Sequence, residues 1–127
     1  MERFRNTAAA LCLSICAVGC ASTPTITPPP TCATKAECDV KWAVARTFVI
    51  NNSHYKFQTL TDDYMVTFSP AGGDTYLGAQ VNREPLPNGG WAIIGKFWCD
   101  NIFGCNPPAA KTLNEFNAAV SAAHPPR

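Results

Sequence analysis

The sequence has little charge and no excess of either sign. Lys and Arg number 10, Asp and Glu number 9, and the formal net charge is +1 at pH 7. A nucleic-acid-binding domain usually carries a basic face interleaved with aromatic residues, and this chain has no such stretch. The sequence therefore predicts no nucleic-acid partner, and its 127 residues leave room for one domain.

The residues that usually carry catalysis are scarce and stand in no recognisable pattern. The histidines are His54, near a polar turn, and His124, which precedes a proline at the predicted end of the last helix. A histidine in such a place is usually solvated, and a general base needs a partner within hydrogen-bond reach. No serine has a nucleophile-elbow context, and Asp62-Asp63 is better explained as a turn. The sequence thus predicts no catalytic residue, and an enzyme remains only as a second alternative.

The chain also lacks the close cysteine spacings of zinc and redox sites. After Cys20 the cysteines are Cys32, Cys38, Cys99 and Cys105, and neither neighbouring pair forms Cys-x-x-Cys. Zinc-binding cysteines are usually separated by about two to four residues, and redox-active dithiols need the Cys-x-x-Cys spacing. An even number of cysteines in a small exported domain instead indicates disulfides. We therefore expect no metal and no cofactor.

What the sequence does contain begins with an export signal. Arg3 and Arg5 precede an apolar run, Thr7–Val18. This run is too short to span a bilayer, which needs about 20 residues, but it suits the apolar region of a secretory signal. It leads into Ala-Val-Gly-Cys, with the cysteine at position 20. These residues resemble the lipobox of bacterial lipoprotein precursors, although Ala17 stands where leucine is usual.

The resemblance implies that residues 1–19 are removed and that Cys20 is diacylated, which anchors the protein in a membrane. In a Gram-negative cell, Ala21 after the cysteine implies sorting to the outer membrane, with the domain facing the periplasm. Cleavage after Ala21, giving a secreted or soluble periplasmic protein, is the alternative. Residues 20–31 are rich in Pro and Thr and predict either a stiff tether of about 3 Å per residue or a disordered leader.

Residues 32–124 predict one α+β domain, and residues 125–127 a short tail. The pattern from Thr34 to Glu37 is typical of a capping box, so a helix should begin there and run to about Ile50. The stretches that follow alternate apolar and polar residues between short turns, which favours an antiparallel meander. The expected fold is a two-layer sandwich, helix–four-stranded antiparallel meander–helix, with two local disulfides.

The bounds of the later elements follow from alternation, glycine and proline. A last helix should have Asn106 as its N-cap and Pro107 as its first residue, and Pro125 should end it. The four strands are expected at Tyr55–Leu60, Tyr64–Ser69, Thr75–Arg83 and from Trp91 onward.

The arrangement of these elements decides how the cysteines pair. If the first helix runs upward, four alternating strands bring Cys99 to the top of the domain while Cys38 lies at the bottom. The helix between these ends is about 22 Å long, whereas bonded cysteines have Cα atoms within about 7 Å of each other. Pairing across the domain is therefore disfavoured, and the predicted bonds are Cys32–Cys38 and Cys99–Cys105.

Two surface features are candidates for interaction. The predicted second disulfide closes a loop that carries Ile102 and Phe103, and a constrained apolar loop lowers the entropy cost of binding. Alternatively, Phe103 folds back onto the core. The other feature is the sheet face away from the helices, where a mixed aromatic and polar patch would mark a partner or a dimer, unless the tether covers it. On that face strand alternation places Met65, Tyr76, Ile94 and Trp98.

These observations together predict a non-enzymatic binding or structural module of the cell envelope. The expected partners are the membrane, through the lipid anchor, and an envelope protein. In this respect the chain is similar to small proteobacterial lipoproteins of uncharacterised function that carry paired cysteines. The alternative is an exported inhibitor that inserts the Cys99–Cys105 loop into the cleft of a hydrolase.

Overall fold

The computed structural model describes residues 19–20 and 22–127, so the predicted signal segment up to residue 18 lies outside the described residues. The described chain forms two α-helices and one five-stranded antiparallel sheet, which confirms the α+β class. No helix in this part of the chain is long and apolar enough to cross a membrane. In chain order the elements are β1 (Thr31–Cys32), α1 (Lys35–Asn52), β2 (Phe57–Leu60), β3 (Tyr64–Thr67), β4 (Gly78–Pro85), β5 (Trp91–Trp98) and α2 (Ala109–Ala122).

The strands lie in the order β1-β5-β4-β3-β2, and all neighbours are antiparallel. Strands β2 to β5 form the predicted meander. The structure adds β1 at the edge, where Thr31 pairs with Ala92 and Cys32 with Trp91. A strand of two residues is too short to show the alternation by which strands are predicted from sequence. Pro30, just before β1, continues this pairing, since its carbonyl accepts the N–H of Ile93 at 2.8 Å.

The predicted N-cap of α1 is confirmed. The Thr34 hydroxyl accepts a hydrogen bond from the backbone N–H of Glu37 at 3.2 Å. The Glu37 carboxylate reaches back to the N–H of Ala33, at 2.9 Å, one residue before the cap. This backbone hydrogen bond and, second, the one to Lys41 lower the pKa of Glu37. The helix ends at Asn52, two residues beyond the predicted end, and the next residue, Ser53, is extended.

The predicted start of α2 is wrong, because the helix begins at Ala109 with Pro108 as its N-cap. The reason lies in the two consecutive prolines. A residue that precedes proline is disfavoured in the α-helical region, so Pro107 is a poor first residue of a helix. The backbone N–H of Asn106 donates instead to the carbonyl of Thr75, at 3.0 Å.

The core lies between the helices and one face of the sheet. The rings of Phe48, Phe97 and Phe116 pack edge to face, with centroids 5.5 to 5.9 Å apart. Gly95 in β5 gives the ring of Phe116 the space that it needs against the sheet. The other fully buried apolar side chains include Val49, Met65, Leu77, Val81, Ile93 and Val120.

The predicted orientation of β3 is wrong by one residue. Met65, expected on the outer face, is fully buried and pairs with Val81, whereas Phe68 is 52% exposed. A shift of one residue moves every side chain of a strand to the opposite face. Burial of Thr67 is tolerated because its hydroxyl accepts the backbone N–H of Ala79, at 3.0 Å. The polar side chain thus takes a place in the core that alternation alone would give to an apolar one.

We predict that Gly95→Ala destabilises the domain. A Cβ at this position would lie 2.8 Å from the ring of Phe116, which is fully buried and cannot move aside freely. Overpacking of this kind costs about 1–3 kcal/mol, more than the roughly 0.4–1 kcal/mol gained by restricting the unfolded chain. Urea unfolding under oxidising conditions measures the difference. The matched control is Gly72→Ala, whose Cβ would lie 3.6 Å from Asp100 and should leave the free energy of unfolding within about 0.5 kcal/mol. Equal stability of the two variants would contradict this packing.

Candidate functional site

The strongest candidate site is the loop between Cys99 and Cys105, which we call the tip loop (residues 99–105). It follows β5 directly and is closed by a disulfide with a Cα–Cα distance of 5.6 Å. The other predicted disulfide, Cys32–Cys38, is also formed, with a Cα–Cα distance of 5.2 Å. Both pairings are therefore confirmed. Their positions at opposite ends of β5 agree with the geometric argument against pairing across the domain.

The tip loop carries two apolar side chains that are almost completely exposed. Ile102 is 94% exposed and Phe103 is 92% exposed. The expectation that Phe103 folds back onto the core is therefore wrong. Single exposed apolar residues are normal, so the distinguishing feature of the tip loop is that two such side chains are adjacent.

The tip loop is held in place by hydrogen bonds as well as by its disulfide. The carbonyl of Asp100 accepts the N–H of Gly73 at 2.7 Å, and the Asn101 amide donates to the carbonyl of Gly73 at 2.6 Å. Within the loop, the Asn101 side-chain oxygen accepts the N–H of Phe103 at 2.9 Å. Gly104 has a φ of +104°, which favours glycine at the turn. The apolar side chains therefore project from a backbone that is already ordered.

The predicted candidates on the outer sheet face lie partly where we expected them. Tyr76 is 51% exposed and Ile94 is 38% exposed, while Trp98 is half-buried and Met65 is in the core. The ammonium group of Lys96 lies 5.6 Å from the centre of the Trp98 ring. Because Trp98 ends β5 and pairs with Gly78 at the start of β4, Tyr76 and Trp98 lie at the same end of the sheet as the tip loop.

Phe68 is an outer-face residue that the sequence pattern did not predict. It directly follows β3 and takes the same corrected orientation as that strand. Its 52% exposure enlarges the apolar part of this face. The alternation itself contains no signal for the shift, because Tyr64, Val66 and Phe68 form the more apolar set.

The ring of His54 packs against two aromatic rings, those of Tyr55 and Tyr76. Its ring stacks on Tyr76, with centroids 4.2 Å apart, and within the described residues its side chain makes no hydrogen bond to a carboxylate. Asp74 is engaged by Tyr55, whose hydroxyl donates to it at 2.7 Å. Burial and, second, this bond to a carboxylate raise the pKa of Tyr55. Residues 19–20 and 22–127 contain no cluster of His, Cys, Asp or Glu that could hold a metal ion.

The predicted tether lies along α2 instead of standing away from the domain. The Asn114 side chain accepts the N–H of Thr27 at 2.9 Å and donates to the carbonyl of Thr25 at 2.8 Å. The Asn117 amide donates to the carbonyl of Thr27 at 2.9 Å, and the carbonyl of Pro30 accepts the N–H of Ile93 at 2.8 Å. Two asparagines three residues apart on one helix face were the only signal for this contact in the sequence.

Comparison with protein-family models, with curated proteins and with solved structures gives no match for this chain. The proposals below therefore depend on the residues and geometry of the chain itself.

We predict that Asn101→Ala loosens the tip loop without opening its disulfide. The variant loses the hydrogen bonds to Gly73 and to the N–H of Phe103, which together should contribute about 1 kcal/mol at this exposed position. Hydrogen exchange of the Phe103 amide should accelerate, while exchange in β4 and β5 stays unchanged. Asn88→Ala, in the exposed loop at the opposite end of the sheet, is the control. Unchanged exchange at Phe103 would show that the disulfide alone orders the loop.

Proposed function

We propose that the protein is a lipid-anchored, non-enzymatic binding module of the bacterial cell envelope, and that the tip loop is its working surface. The observation that carries this proposal is the near-complete exposure of Ile102 and Phe103 on an ordered loop. Binding by such a loop loses little conformational entropy, because the backbone is fixed before the partner arrives. The exposed apolar surface then adds affinity when it leaves water.

Export of the chain is supported by two independent features. The first is the N-terminal sequence, whose apolar run and Ala-Val-Gly-Cys resemble a lipoprotein signal. The second is the pair of disulfides, which form and persist in oxidising compartments such as the periplasm. The proposed location is the outer membrane, with the domain in the periplasm and Cys20 as the lipidated residue. Cys20 is exposed and makes no disulfide, as this role requires.

We predict that the mature protein begins at an acylated Cys20 and contains both disulfides. Intact mass spectrometry of protein isolated from membranes should report the acyl chains and the loss of four hydrogens relative to the reduced chain. Cys20→Ser should leave the domain folded but move it from the membrane fraction to the soluble fraction in a flotation gradient. A Ser22→Ala variant, next to the site, should float like the wild type. An unmodified mass with free thiols would contradict both the anchor and the compartment.

The second candidate function is inhibition of an exported hydrolase. The same closed tip loop favours it, since a rigid protruding loop with an apolar end can fill an enzyme cleft. In this case the tip loop must bind the concave active-site cleft of the enzyme, and the lipid anchor only determines where in the cell the inhibitor is held.

We predict, if the protein is an inhibitor, that the purified domain slows at least one enzyme in a panel of lysozymes and proteases. Phe103→Asp should abolish the inhibition, because it places a charge on the inserted side chain, whereas Asn88→Asp should not affect it. Absence of inhibition by the wild-type domain across the panel would remove this alternative.

A further inference from the structure

The path of the chain before β1 shows where an anchored Cys20 must lie. Helix α2 begins just after the tip loop and runs away from it toward the other end of the domain. The segment before β1 runs in the opposite direction along the same helix. Pro30 bonds to β5 near its start, and Thr27 bonds to Asn114 in mid-helix. Pro24 lines a surface cavity together with Pro108 and Ala110, at the beginning of α2. Followed toward its N-terminus, the segment therefore returns to the end of the domain that carries the tip loop.

This path places the anchor close to the tip loop. Cys20 precedes Pro24 by four residues, and an extended chain spans at most about 3.6 Å per residue. The Cα atom of Cys20 therefore lies within about 14 Å of that of Pro24. A bilayer that holds the acyl chains must approach the domain from this end. The stand-off of about 30 Å that a free tether would give is lost, because residues 25–30 are bound to the domain.

We infer that the tip loop is a second membrane contact, in which Ile102 and Phe103 insert into the bilayer that holds the acylated Cys20. This inference rests on the proposed lipid anchor and names the surface that the tip loop binds. The anchor keeps the loop beside the bilayer, so even a weak apolar contact is populated, as for any two linked binding sites.

The chemistry of the tip loop suits a lipid interface. The N–H groups of Phe103 and Gly104 already bond to Asn101, so they need no partner from water when the tip enters a lipid interface. Trp98 and Tyr76 lie just behind the tip, and such aromatic residues favour the level of the lipid headgroups. The only charged residue in the loop is Asp100 at its base. With no basic residue at the tip, the contact should be apolar and independent of anionic lipids.

Quenching of tryptophan fluorescence by brominated lipids tests this inference on the native chain. Trp98 lies near the tip loop, whereas Trp91 begins β5 and Trp42 bonds to the turn before β3, both at the far end. Acylated protein purified from bacterial membranes is placed in phosphatidylcholine vesicles, some of which carry bromine near the headgroup. We expect the brominated vesicles to quench part of the tryptophan emission of the wild-type protein. This quenched part should come from Trp98, so it should be absent from the Trp98→Phe variant. The quenching should be the same when a third of the lipid is phosphatidylglycerol.

The test variant is the double substitution Ile102→Asp and Phe103→Asp. Both side chains are exposed, so the variant should fold and float with vesicles like the wild type, but quenching of Trp98 should fall severalfold. The matched control, Pro87→Asp with Asn88→Asp in the exposed loop at the far end, should be quenched like the wild type.

The outcomes separate this inference from the anchor on which it rests. If the wild-type protein fails to float with the vesicles, the anchor is wrong and the inference falls with it. If it floats but Trp98 is not quenched, or is quenched equally in the Asp variant, the anchor stands and the inference is overturned. Sedimentation of the Cys20→Ser protein tests the alternative that the tip loop binds a second copy of this chain. A dimer that the two Asp substitutions convert to a monomer would assign the tip loop to a second copy of this chain, and would also overturn the inference.

Discussion

The bond between Cys99 and Cys105 is the constraint on which the rest of this structure depends. It joins the end of β5 to the approach of α2, with the two Cα atoms 5.6 Å apart. The chain can therefore leave the sheet, form an exposed turn and return to start a helix at the same end of the domain. The position of α2 in turn sets that of Asn114 and Asn117, which bind the segment before β1. One covalent link thus places both the apolar tip and the path toward the N-terminus.

The domain can leave the two side chains of the tip exposed because its core is complete without them. Burying an Ile or Phe side chain is worth about 1.5–3 kcal/mol, a large fraction of the stability of a typical small domain. The aromatic cluster around Phe116 and the buried residues of β4 and β5 supply a continuous core without Ile102 or Phe103. Their apolar surface therefore stays free for the interaction that we propose.

The features that were predicted from sequence depend on local patterns or on simple topology. The N-cap Thr34 is such a local pattern, and the order of helices and strands was enough to pair the cysteines. The orientation of β3 could not be predicted, because the hydroxyl of Thr67 is satisfied by Ala79, a partner distant in sequence. The exposure of Phe103 was open for a similar reason, since a loop pattern does not tell whether its apolar residues find a place on the core. The start of α2, in contrast, could have been predicted from the Pro107-Pro108 pair, because the residue before a proline is disfavoured in a helix.

The binding of the predicted tether to α2 changes what the module can reach. A free tether would hold an anchored domain away from the membrane and let it rotate. The bound segment, with Cys20 acylated as proposed, would keep the domain against the bilayer with the tip loop facing the lipid. Strands β4 and β5 extend between the tip end and the far end of the domain, so they would then stand away from the membrane surface. An eight-residue strand is about 27 Å long, and the outer face with Ile94 and Phe68 extends over this height. That face would look sideways, along the membrane, and a protein that binds it must itself lie close to the same bilayer. In this arrangement the proposed membrane contact and the expected envelope partner would use different surfaces and would not compete.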